Sequence, residues 1–209
     1  MRNVSSPESW AYLSRVVEGP SIHIQEFIAN GRSADEIAHG VRTRASWIGA
    51  LGPQTQNRYT WDQPAQDLAR AQAAGYTLLT PDSPGWPGEN IKPTFHCEYP
   101  DDDRKLSLNE EAVAPHALWV KGEADLAKLL AQSVGVVGTR TATQYGRHAT
   151  DDLVRGLAKH QYTIVSGGAL GIDTIAHQAA LDCGAPTIVV AAGGPGYVYP
   201  PVSYTHLTL

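Results

Sequence analysis

The sequence predicts an α/β chain in which a small helical domain precedes a domain built on a parallel sheet. Apolar runs at residues 133–138, 162–166 and 186–192 alternate with helical patterns at 144–159 and 173–182. Continuous apolar strands separated by helices are the signature of βαβ units buried on both faces, and their crossovers are expected to be right-handed. The earlier part of the chain has helical periodicity instead, with Trp10, Leu13, Val16 and Val17 along one stripe. The chain also holds 20 glycines and 14 prolines, an excess that marks turns and glycine-rich loops.

Taken in order, Ser33 followed by Glu36 forms a capping-box pattern that opens a helix carrying Ile37 and Val41. A further helix runs from about Pro64, with Asp62 or Gln63 near its cap, through Leu68 and Ala73 to Gly75. Residues 76–80 read as a strand, and 81–88, with three prolines, as a loop. Residues 117–122 form another strand ending in a turn. In the helix at 144–159, Leu153, Val154 and Leu157 are expected to share the buried side. This gives a helical domain over 1–75 and a sheet domain from 76 to about 202.

Composition narrows the function. With 209 residues, 42% hydrophobic and 18% charged, the chain can build a core and is not a disordered polyelectrolyte. Residues 1–111 carry ten basic and fifteen acidic side chains and the remainder six of each, so neither half is a generic polyanion binder. Any nucleic-acid contact must therefore be local. The sequence has no run of 18 apolar residues, and its start, MRNVSSPESW, lacks a signal pattern, so the expectation is a cytoplasmic protein with no membrane partner. Cys97 and Cys183 form no CxxC and build neither a disulfide framework nor a thiolate metal site. Asp101, Asp102, Asp103, Glu110 and Glu111 lack the alternation and glycine of a calcium loop and read as a solvated insertion.

In an open parallel sheet, ligands bind beyond the carboxyl ends of the strands. Three glycine-bearing loops fall there: Gly138 to Thr143, Gly167 to Gly171, and Gly193 to Gly196. Glycine lets the backbone approach a ligand, and the amides opening the next helix suit an anion. Neither GxGxxG nor GxxxxGK[ST] is present, so no nucleotide cofactor is expected. Arg140, placed in the crevice, suits a phosphate. Thr141 or Thr143 is positioned to cap the helix, and Tyr145 either packs or stacks on a base. Ser166, Asp173 and His177 could be arranged as a hydrolase set. However, Ser166 lacks the GxSxG context and Asp173 suits a helix N-cap, so no catalytic residue and no metal site is assigned.

These residues carry a family resemblance. Val136, Val137, Gly138, Thr139 and Arg140 with Thr143, Tyr145 and Gly146 form the first motif. The run from Val165 through Asp173 with Ala176, His177, Ala180 and Leu181 forms the second, and Tyr199 and Pro200 the third. Together they resemble the DNA-processing protein A family, also called DprA or Smf. The stretches around Leu79 to Asp82, Trp86 and Pro87, and Leu118 to Gly122 look like that family's lead-in. The resemblance implies an extended Rossmann-like domain that binds single-stranded DNA, protects incoming strands in natural transformation, forms a homodimer when full length and loads RecA recombinase.

Carried over by position, Arg140 matches a DNA-binding arginine, and the segment from Ser166 through Gly167, Gly168 and Ala169 to Gly171 matches one lying along the DNA backbone. Gly138, Thr139, Thr143, Tyr145, Asp173 and His177 complete the implied nucleic-acid site. Many members have a cation where this chain has Leu170, which shifts the load to Arg147, backbone amides and aromatic stacking. A phosphoribohydrolase-like enzyme is the alternative, but its PGGxGT motif is only partly echoed at Gly193 to Gly196 and its catalytic Glu does not follow. Residues 203–209 match nothing expected of the family and resemble a translated sequencing adapter. They are read as a non-native tail that leaves the sheet domain incomplete, with an open edge.

Overall fold

The hydroxyl of Ser6 accepts the Ser9 amide at 3.2 Å, and Pro7 follows at a position where a missing N–H costs nothing. Helix α1 (Pro7–Val16) begins there. The computed structural model describes residues 4–17, 19–95 and 113–191 and divides the chain into two units, Met1–Glu123 and Ala124–Leu209.

In the first unit, α1 packs against α3 (Ala34–Thr43) and α5 (Pro64–Ala73), with α2 (Ile22–Ala29) and the short α4 (Leu51–Gln54) around them. The expected capping box is present: Ser33 Oγ accepts the Glu36 amide at 3.2 Å, and Glu36 Oε2 accepts the Ser33 amide at 2.9 Å. Tyr12, Leu13, Val16, Ile24, Ile37, Val41 and Leu51 are fully buried. Burying each Leu, Ile or Val side chain contributes roughly 1.5–3 kcal/mol, and the Tyr12 hydroxyl donates to the Tyr59 carbonyl at 2.7 Å.

Strand β1 (Tyr76–Leu79) pairs antiparallel with β2 (Leu118–Lys121), Tyr76 lying opposite Lys121 and Leu79 opposite Leu118. Both strands belong to the first unit, which runs to Glu123. The cause is specific bonding. Trp119 Nε1 donates to Ser14 Oγ at 3.1 Å, and Gln25 Nε2 donates to the Ala114 carbonyl at 3.0 Å, holding 113–121 against the helices. Nothing in a four-residue strand reveals such partners. The loop read over 81–88 ends at Pro87, and α6 (Gly88–Phe95) begins where it stops. Cys97, the acidic insertion, the third glycine loop and residues 203–209 lie outside the described residues.

The second unit opens with α7 (Leu126–Ala131), which the sequence reading passed over although Asp125 caps it, accepting the Lys128 amide at 3.2 Å. Strands β3 (Ser133–Gly135), β4 (Thr163–Ser166) and β5 (Thr187–Val189) form a parallel sheet in that order, linked through α8 (Gln144–Lys159) and α9 (Ile172–Asp182). This is the Rossmann-like arrangement. The strands are shorter than their apolar runs, but single bonds extend the ladder: the Val136 amide donates to the Val165 carbonyl and the Val190 amide to the Ser166 carbonyl, each at 2.8 Å. Val136, Val154, Ile164, Ala176, Ala179 and Ala180 form the core, with Leu157 packed against it. Leu153, expected on the buried side, is 54% exposed, since the buried stripe of α8 is centred on Thr150, Val154 and Leu157 and Leu153 falls at its margin. No helix of the described residues is long and apolar enough to cross a membrane.

Candidate nucleic-acid interface

The first two glycine loops lock together. The Ile172 amide donates to the Thr139 carbonyl at 3.1 Å. That approach requires glycine at 171: φ is +90°, and a Cβ there would lie 2.2 Å from Thr139 O. Gly138 is equally constrained, since a Cβ would meet the Ile172 side chain at 2.6 Å. Ile172 is thus the peg between the loops; it lies within the second motif but is not among the predicted site residues.

Thr143 is the cap of α8, its Oγ1 accepting the Gly146 amide at 3.1 Å, which resolves the choice between Thr141 and Thr143. Thr139 Oγ1 accepts the Thr141 amide at 3.1 Å and shapes the loop around Arg140. Arg140 and Arg147 are both exposed, and among the described residues neither has an ion-pair or hydrogen-bond partner for its guanidinium. Lys128 and Arg155, by contrast, face carboxylates at Asp125 and Asp151. Tyr145 is 82% exposed, so of its two readings packing is excluded.

Three predicted site residues lie beneath the surface. Ser166 is buried, and its hydroxyl donates to the Val136 carbonyl at 2.7 Å, bonding β4 to β3. Asp173 is not the N-cap, a place held by Gly171. It sits in the first turn of α9 with Oδ2 accepting the Ala169 amide at 3.3 Å, and a Cβ on Gly167 would come within 2.9 Å of that oxygen. Gly168, at φ +73°, abuts Val189.

His177 is buried, with Nδ1 2.7 Å from Thr187 Oγ1. Thr187 itself donates to the Ile164 carbonyl at 3.0 Å, so its oxygen is left to accept from His177 Nδ1–H, which places the imidazole proton on Nδ1. Burial lowers the His177 pKa, and the Asp173 charge opposes that shift. The Ser166 hydroxyl is thus committed to the Val136 carbonyl and His177 Nδ1 to Thr187, while His177 Nε2 is buried without a hydrogen-bond partner among the described residues. Thr187 is a structural partner that the sequence reading missed, because its pairing exists only across α9 and β5. Among the described residues, this edge presents two guanidiniums without partners, an exposed tyrosine, and the loop residues Gly138, Thr139, Gly167, Ala169 and Gly171 that shape it.

Such a parallel sheet, with interlocked glycine loops beyond the carboxyl ends of its strands, defines a Rossmann-like protein. The model of the family DNA recombination-mediator protein A matches residues 91–208, more than half of the chain, and the chain belongs to that family. It is 36% identical over 203 residues to a Mycobacterium tuberculosis protein named for DNA processing protein DprA, covering 92% of this chain and 47% of that protein. It is 41% identical over 100 residues to the DNA processing protein DprA of Streptococcus pneumoniae, covering 48% of this chain and 34% of that one. The X-ray structure of DNA processing protein A from Streptococcus pneumoniae superposes with a TM-score of 0.57 at 22% identity, covering 98% of this chain and 59% of that chain. That likeness speaks to the fold. The chain spans about half the length of the Mycobacterium relative.

Proposed function

We propose that this protein binds single-stranded DNA along the carboxyl edge of its parallel sheet. In this reading it acts as a DNA-processing protein in the cytoplasm, protecting incoming strands during natural transformation and passing them to RecA recombinase, as a homodimer when full length. The observation that carries the reading is Arg140, in the first of two interlocked glycine loops, with Arg147 in the first turn of α8, neither guanidinium having a partner among the described residues. A guanidinium without a carboxylate partner can fork onto a phosphate without first breaking an ion pair. Family membership supports the same reading. Binding without catalysis is favoured because Ser166 and His177 are already bonded within the sheet layer.

The test is fluorescence anisotropy with a labelled oligo-dT. Arg140→Ala is expected to weaken binding by about tenfold or more, the size of a lost charge-assisted hydrogen bond. Unchanged affinity removes Arg140 from the site. Release of free base from a nucleoside monophosphate would replace the binding reading with the phosphoribohydrolase-like one.

A further inference from the structure

In the first unit, the segment between α4 and α5 carries Trp61, which is 48% exposed although tryptophan is highly buried on average. Beside it opens a cleft of about 320 Å³ lined by Arg15, Thr60, Trp61, Asp62 and Gln63. The Arg58 guanidinium lies 5.1 Å from the centre of the indole ring and is not among the lining residues, so the cleft is bounded by indole surface that Arg58 leaves open. A cleft of this size stands at the lower end of small-molecule pockets and suits one flat group of nucleobase size.

Two ion pairs fix its polar rim. Asp62 accepts Arg42 Nε and Nη2, each at 3.0 Å, and Asp67 accepts Arg15 Nε and Nη2. These pairs hold the side chains without exhausting them. A carboxylate has about four lone-pair sites, and among the described residues Arg15 Nη1 has no partner. The cleft thus offers an acceptor, a donor and an aromatic surface together. Its surroundings also tolerate a phosphate: residues 37–61 contain three arginines and no carboxylate, within a stretch, 1–111, that has ten basic and fifteen acidic side chains. Arg44, over the Tyr59 ring at 4.7 Å, bonds neutral acceptors, namely Thr55 Oγ1, the Gly52 carbonyl and Gln56 Oε1, so no acid cancels its charge there.

We infer that this cleft is a nucleobase site in the helical unit. One unpaired base stacks on Trp61, Asp62 accepts from its exocyclic amino group, and Arg15 donates to the neighbouring ring nitrogen or carbonyl. Cytosine, adenine and guanine carry such an amino group, whereas thymine presents carbonyl oxygens that a carboxylate repels. The base belongs to a single strand or to a free nucleotide, because a duplex hides its stacking faces. The inference does not rest on Arg140 or on the glycine loops.

The experiment follows the indole N–H signals of the 209-residue chain by NMR as dCMP or dTMP is added, with Trp61→Leu assigning the Trp61 signal. dCMP is expected to shift that signal saturably with a Kd of about 1–10 mM, the scale of one stacked base, and dTMP to bind at least about threefold more weakly. The other indole signals report retained structure in each variant. Asp62→Asn, which keeps the size of the side chain, should bring the two nucleotides within about twofold of each other. A dC 20-mer, followed by anisotropy, separates the two sources of the base. If Trp61→Leu weakens it by about threefold or more, in the Arg140→Ala background as well, the base comes from a strand; a dCMP shift with an untouched 20-mer assigns a free nucleotide. A Trp61 signal unmoved by either nucleotide, equal affinity for dCMP and dTMP, or a shift that Arg140→Ala abolishes overturns the inference and leaves the sheet-edge reading standing. Binding of the 20-mer that depends on Trp61 and not on Arg140 supports the cleft and overturns the sheet-edge reading.

Discussion

Trp10 and Asp82, 72 residues apart, are joined by a 2.9 Å hydrogen bond from the indole Nε1 to the carboxylate Oδ2. The same oxygen accepts the Ser5 amide at 3.1 Å, so one carboxylate fastens the start of α1 to the turn after β1. Trp10 is almost fully buried, and an indole N–H left without an acceptor there loses its water as well.

Asp82→Ala should therefore destabilise the first unit by about 1–3 kcal/mol. A lowered urea midpoint with an unchanged slope is the expected result. An unchanged midpoint means that the bond contributes nothing net.

Two glycines separate backbone necessity from convenience. Gly171→Ala places a methyl against Thr139 O at φ +90° and should cost about 1–3 kcal/mol in backbone strain alone, with weakened DNA binding as the loops part. Gly156, inside α8 with open space around its missing side chain, should give a gain of about 0.5–1 kcal/mol on change to Ala. Thermal unfolding of the two variants should shift in opposite directions.

His116 makes stability depend on pH. Its ring is buried, and neither nitrogen finds a partner in hydrogen-bonding geometry. Burial pulls the pKa down to about 4, opposed by the nearby Leu13 backbone. The unfolded chain, with an ordinary histidine near 6.5, then binds more protons between about pH 4 and 6.5. Stability is full above that window and falls as pH drops through it, by on the order of 3 kcal/mol at its lower end. The difference between the unmodified chain and His116→Leu, followed by denaturant unfolding from pH 7 to 4, should show this slope. A difference independent of pH removes His116 as the cause.

Ser166→Ala tests whether a residue of the second motif touches ligand or holds the sheet. Loss of the bond to the Val136 carbonyl should cost about 1 kcal/mol of stability while oligo-dT affinity stays unchanged. A large loss of affinity at unchanged stability reverses the assignment.

The fold was legible wherever side-chain period and local caps decide the outcome. Gln144 and Lys159 bound α8 as read, Thr143 is one of the two caps the sequence offers, and Ser33 and Glu36 cap α3 as read. These signals act within a few residues. The allegiance of β1 and β2 was not legible, because it rests on Trp119 meeting Ser14 and Gln25 meeting Ala114, contacts between residues about 90 to 105 positions apart. At the site, the loops stood out through their glycines, and Arg140 through its place beyond the carboxyl end of a strand and the family resemblance. The turning inward of Ser166, Asp173 and His177 did not, since it depends on acceptors offered by Val136 and Thr187 and on the Ala169 amide, which donates to Asp173.

The bond between Ile172 and Thr139 also makes the two loops one mechanical body. Displacing the backbone beside Arg140 requires the start of α9 to follow, so a strand that engages either loop is felt at both. The Ile172 amide should then report occupancy of the whole edge, its exchange with deuterated solvent slowing once the ligand is seated.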